Sequence, residues 1–123
     1  MEQELFSHSS SVWPVKDMEA SMAFYRDQLG FKVTFTWEDP VSYAVLKRGD
    51  IGINLTLRDD LPENYKPMNS LYIFVHDADA VWEEVNAKGA KVLEPIDDRD
   101  YGMRDFLVED PNGYRIVFGK GLN

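Results

Sequence analysis

The stretch PVKDMEASMAFYRDQLG, Pro14 to Gly30, returns in altered form as FVHDADAVWEEVNAKG, Phe74 to Gly89. In each copy a β-prone valine (Val15, Val75) leads through one residue into an aspartate (Asp17, Asp77), and a glycine (Gly30, Gly89) closes the segment. An aspartate at that point can accept from the free N–H groups of a helix's first turn. Met18, Met22, Tyr25 and Leu29 in the first copy share one helical face, as do Ala78, Val81, Trp82 and Val85 in the second. Glycine suits the place just past a helix end, where φ is often positive. Two helices with the same entry and exit, their aspartates sixty positions apart, make the chain an internal repeat.

Ser9 to Val15 and Asn69 to Val75 read as the strands that precede the two helices. After Gly30 come three strand-like runs: Phe31–Glu38, Ser42–Lys47 and Ile51–Leu57. Arg48-Gly49-Asp50 is a hairpin turn signal. The last run alternates, with Ile51, Ile53, Leu55 and Leu57 on one face and Gly52, Asn54 and Thr56 on the other. After Gly89, strands are expected over Lys91–Ile96, Arg104–Val108 and Tyr114–Phe118, with an acidic loop over Asp97–Gly102 and a turn at Asp110-Pro111-Asn112-Gly113. Residues 59–67 carry Pro62 and Pro67 among Asp59, Asp60, Glu63 and Lys66, and read as a linker. The expected fold is therefore α+β: two tandem βαβββ modules, about 5–58 and 68–120, forming a cup-shaped mixed sheet with the helices outside. The 123 residues make one domain.

The composition narrows the function. Hydrophobic residues make up 44% and charged residues 28%, which suits a packed core. A net charge of −9 repels phosphate backbones, so nucleic acid is not an expected partner, whereas cations would be attracted. The absence of cysteine removes disulfides, thiolate nucleophiles and Cys-ligated zinc. No apolar run approaches the roughly 20 residues of a membrane helix, and Met1–Ser11 lacks the pattern of a signal peptide, so a cytoplasmic protein is expected.

Several motifs together resemble the vicinal-oxygen-chelate superfamily, which includes glyoxalase I, extradiol dioxygenases and the fosfomycin- and bleomycin-resistance proteins. They are Pro14-Val15-Lys16-Asp17-Met18-Glu19-Ala20-Ser21, Phe24-Tyr25 and Leu29-Gly30-Phe31 in the first module, and Tyr101-Gly102-Met103-Arg104-Asp105-Phe106 with Asp110-Pro111-Asn112-Gly113-Tyr114 in the second. The second pair, and the ending Arg115-Ile116-Val117-Phe118-Gly119, are most similar to the bleomycin-resistance branch. The resemblance implies a homodimer with clefts between subunits, with exchange of the N-terminal strand as a variant, and ligand sequestration without chemistry.

Metal enzymes of the superfamily set four ligands on their concave faces. Counting from the motifs puts Ser10, Asn54, Ser70 and Val117 at those places. Val117 has no donor atom and the others are weak ones, so no metal and no cofactor are expected. His8 and His76 lack companions. No nucleophile with an activating base is apparent, so no catalytic residue is assigned. An enzyme of the same superfamily (lyase, isomerase or dioxygenase type) with atypical ligands or none remains the alternative, and a dimer without a ligand of its own a third reading.

What the concave faces offer is a binding surface. Tyr72 and Phe74 share a face with Ser70, and Ser10, Val12 and Pro14 share one in the first module, with Trp13 turned to the helix. Trp37, Tyr65 and Tyr101 are expected around the rim, where flat rings stack on heterocycles or cations. The parity of the strand carrying Phe35 and Trp37 is open by one residue. Glu38, Asp39, Asp98, Asp100 and Asp105 are candidate counter-ions for a cationic ligand. The candidate ligand-binding set is Trp37, Asn54, Tyr72, Phe74, Tyr101, Asp105 and Arg115, for a planar or cationic, antibiotic-type small molecule.

Overall fold

A computed structural model describes residues 3–68 and 70–123. Asn69, expected to open the second module's first strand, lies outside the described residues. The order is β1 (Ser9–Val15), α1 (Met18–Ala23, running on as one π-helical stretch Phe24–Gln28), β2 (Lys32–Trp37), β3 (Tyr43–Arg48), β4 (Ile51–Leu57), β5 (Ser70–Phe74), α2 (Ala78–Ala87), β6 (Lys91–Asp98), β7 (Met103–Glu109) and β8 (Arg115–Gly121). Two four-stranded mixed sheets result, β1-β4-β3-β2 and β5-β8-β7-β6, and in each the first strand pairs parallel with the last. This is the α+β, two-module architecture expected from the repeat.

The repeat is visible in the capping. Asp17 accepts from the Ala20 N–H and Asp77 from the Ala80 N–H, both at 3.0 Å. From Asp17 to Gly30, however, the chain has one residue more than from Asp77 to Gly89. The extra residue is absorbed as the π turn, where the Leu29 N–H reaches back to the Phe24 carbonyl.

Each sheet buries one face against its own helix. In the first module Trp13, Val15, Ala44, Leu46, Ile53 and Leu55 are buried with Met18, Met22, Tyr25 and Leu29. In the second, Ile73, Phe106, Val108, Ile116 and Phe118 pack with Val85. A bulge between Val33 and Phe35 shifts the register of β2 on β3 and settles its parity: Phe35 opposes Val45 and Trp37 opposes Tyr43, on the face away from the helix. The second sheet departs from expectation at β6, which continues through Asp97 and Asp98. These acids stay extended because Asp97 pairs with Asp105, and Asp98 pairs with Arg104, whose guanidinium holds its carboxylate at 2.9 Å.

The modules meet along two seams. At the α1 seam the β7–β8 turn docks on α1. Asp110, 4% exposed, accepts from the Tyr25 hydroxyl at 2.7 Å and from the backbone N–H of Asn112 and Tyr114. The Tyr114 ring stacks on Trp13 at 4.4 Å, and its hydroxyl donates to the Pro14 carbonyl. Tyr65, expected at the cleft rim, is instead here: the linker folds back over this seam and brings the Tyr65 hydroxyl to 3.3 Å from that of Tyr114. At the α2 seam the β3–β4 turn approaches α2, and Arg48 pairs with Glu84 and donates to the Leu29 carbonyl.

Candidate functional site

The faces turned away from the helices carry the expected residues. On the first sheet Ser10, Val12 and Pro14 of β1 lie beside Gly52, Asn54 and Thr56 of β4, then Tyr43 and Val45 of β3, then Phe35 and Trp37 of β2. On the second sheet Ser70, Tyr72 and Phe74 of β5 lie beside Arg115, Val117 and Gly119 of β8, then Asp105 and Leu107 of β7. Both faces leave large apolar groups in water: Val12, Phe35, Trp37 and Phe74 are 50–74% exposed. Trp37 and Asn54 thus lie on one module's face, and Tyr72, Phe74, Asp105 and Arg115 on the other's, with Tyr101 on the loop beside them.

The second face has a built polar floor. Asp105 is 2% exposed, and its carboxylate accepts from the Tyr72 hydroxyl at 2.8 Å, the Tyr101 hydroxyl at 2.6 Å and the Arg99 guanidinium at 2.8 Å. Arg99 also donates to the Pro95 and Asp105 carbonyls, which fixes its plane. Burial alone would raise the Asp105 carboxyl. The donors from Tyr101, Arg99 and Tyr72 outweigh it and hold the pKa below the ordinary carboxylate value. Desolvation, and then the bond to this carboxylate, push the Tyr72 phenol well above its ordinary pKa.

Tyr72 reaches Asp105 by lying across Gly119. A Cβ at that glycine would collide with the Tyr72 hydroxyl oxygen, so the ring's position depends on the missing side chain. Its ring sits 4.9 Å from that of Phe74.

Among the other candidates, Asn54 donates to the Tyr43 hydroxyl at 3.0 Å, while its Oδ1 is buried without a partner. Arg115 is further along the second face, at a hollow it shares with Tyr65, Pro67, Met68 and Glu109. The candidate counter-ions are partly committed: Asp105 is inward and has both oxygens engaged, Asp98 is held by Arg104, and the Glu38 carboxylate accepts from the Ser42 hydroxyl. Sequence reasoning missed Arg99. The signal was there in the one base of an otherwise acidic run, Asp97 to Asp100.

Ser10, Asn54, Ser70 and Val117 all face this way. Two hydroxyls, a neutral amide and a valine do not make a donor set for a divalent metal. Among the described residues no three His, Cys, Asp or Glu side chains cluster closely enough to hold one. No helix among them is long and apolar enough to cross a membrane.

A family profile for the glyoxalase/bleomycin resistance protein/dioxygenase superfamily matches residues 10–118. The chain belongs to this superfamily. YraH of Bacillus subtilis, an uncharacterized protein, is 27% identical over 120 residues, spanning 88% of this chain and 93% of YraH. The bleomycin-binding protein from bleomycin-producing Streptomyces verticillus, solved with copper(II)-bleomycin, superposes with a TM-score of 0.74 at 26% identity, covering 97% of this chain and 99% of that one. TioX from Micromonospora sp. ML1 shares the fold, with a TM-score of 0.80 at 20% identity over 95% of this chain and all of its own.

Proposed function

We propose that the protein binds and sequesters a planar, cationic, antibiotic-type small molecule without a metal, in clefts completed between two copies of the chain. The observation that carries the reading is the pair of helix-free faces. Each exposes aromatic side chains, Phe35 and Trp37 on one and Phe74 on the other, beside polar groups held in place. Burying such groups is worth roughly 25 cal/mol per Å² of apolar surface, so a second copy and a ligand are the natural cover. Flat rings suit a planar ligand, and a net charge of −9 suits a cationic one. The likeness to the Streptomyces bleomycin-binding protein supports the same reading. β1 pairs with β4 along all seven of its residues, a ladder that can be made within one chain or exchanged with a partner. The cysteine-free composition suits a cytoplasmic location.

A thermal-shift series with bleomycin, metals and a chelator tests this. A ligand at about 100 times its Kd stabilises the native state by about 2.7 kcal/mol. A drug-induced rise in Tm that persists in chelator is expected. A rise with a divalent metal alone, abolished by chelator, would overturn the reading and bring forward a superfamily enzyme with atypical ligands. The buried, unpartnered Asn54 Oδ1, at a superfamily ligand position, is the observation that favours that second reading.

A further inference from the structure

We propose that the Tyr72 and Tyr101 hydroxyls form a paired acceptor that selects ligands carrying two N–H donors, such as an amidinium, guanidinium or primary ammonium group. This rests on the ligand-binding reading of the same face and narrows it to a chemical class.

Arg99 and two phenols converge on the Asp105 carboxylate, which is ionised with a depressed pKa. An ionised carboxylate only accepts, so each phenol must spend its single proton on it. Both phenols donate to the same oxygen, Oδ2, at 2.8 and 2.6 Å. Their own oxygens therefore lie within about twice a hydrogen-bond length of each other. What remains on each phenol oxygen is acceptor capacity alone. Two acceptors within that limit can each take one N–H of a guanidinium, an amidinium or an ammonium. A carboxylate ligand would meet lone pairs with lone pairs. The Asp105 charge behind the phenols makes them better acceptors without itself being presented to the ligand, since the residue is 2% exposed.

Arg99 keeps the pair directed this way. It neutralises Asp105 from the side and ties the loop carrying Tyr101 to β6 through the Pro95 carbonyl. Asp105 and Arg99 are thus positioning residues, and the two phenols are the contact groups.

Three probes of similar size test the polarity: benzamidine, a planar cation with a donor fork; benzoate, its anionic acceptor counterpart; and acetophenone, neutral with an acceptor only. Binding is read by chemical-shift titration of the tyrosine rings, at raised salt to screen the net charge. Benzamidine is expected to bind best and to shift the Tyr72 and Tyr101 resonances. Tyr72→Phe and Tyr101→Phe leave the charge unchanged, and each should lower benzamidine affinity about tenfold while sparing acetophenone. Asp105→Asn supplies an N–H₂ donor toward the phenols, frees their protons, and should shift preference from benzamidine toward benzoate. If benzamidine and acetophenone bind alike and neither Phe variant separates them, the paired acceptor is overturned while the aromatic cleft stands. If no probe binds, the cleft reading falls with it.

Discussion

The two seams between the modules occupy equivalent places in the repeat and are built in opposite ways. Register makes the comparison residue by residue. Val12 opposes Asn54 as Tyr72 opposes Val117, so Trp13 corresponds to Ile73 and Tyr114 to Ile51. At the α1 seam those places hold a stacked indole and phenol, closed over by Tyr65 and locked by Asp110. At the α2 seam they hold two isoleucines and an exposed ion pair. The hollow left beside α2 is about 550 Å³, against about 310 Å³ beside α1. The π turn belongs to this difference, because it brings Tyr25 to the first seam at full burial. One seam is a core joint between modules, and the other is a loose contact. A duplicated fold needs only one rigid joint to fix the relation of its two helix-free faces.

The largest difference between the seams is expected at the aromatic pair of the first. Tyr114→Ala should cost about 3–5 kcal/mol, as for other buried rings, whereas Ile51→Ala at the equivalent place should cost less than about 2 kcal/mol, because that side chain is only half-buried. Urea denaturation of the two variants measures both, and equal costs would erase the distinction.

Acid titration gives a smaller effect of opposite sign at two carboxylates. The folded-state pKa of Asp105 is depressed, so its contribution is full above the unfolded pKa and is lost as pH falls through the folded value. Desolvation raises the Asp110 carboxyl in spite of its donors from Tyr25 and Asn112, so its ionised form is the disfavoured one, and stability is recovered as pH falls through the raised value. Asp105→Asn should therefore flatten the acid side of the stability–pH curve, and Asp110→Asn should steepen it. The smallest change belongs to the α2 seam. Arg48→Ala should cost under about 1 kcal/mol, because both partners are more than a third exposed, and salt should shrink the effect further in the wild type. A larger loss would make the α2 seam a second rigid joint.

Much of this was legible in the sequence where the cause is local. The Asp17 and Asp77 caps, the inward Trp13, and the faces of β1, β4 and β5 follow from capping chemistry and alternation. What failed was decided by distant partners. Asp97 and Asp98 have little β preference and are extended because β7 pairs with them. Tyr65 looked like a rim aromatic and is a brace, because its partner is forty-nine residues away. Trp37 could be placed only once the bulge at Val33–Phe35 was known. Of the candidate site, the residues Tyr72, Tyr101 and Asp105 were visible, but their common bond was not. Nor was Arg99, whose value lies in where the β6–β7 connection delivers it.

Gly119 sets the place of the Tyr72 ring through the side chain it lacks. The Tyr72 phenol occupies the space where any side chain at 119 would begin. A single base change that turned this glycine into alanine would displace the Tyr72 ring and press on the Asp105 Cβ, leaving Tyr101 and Arg99 as the donors to the carboxylate. If the two phenols are the contact groups proposed above, ligand preference would be set at a position that has no side chain to touch a ligand, and one substitution would change it while every contact residue kept its identity.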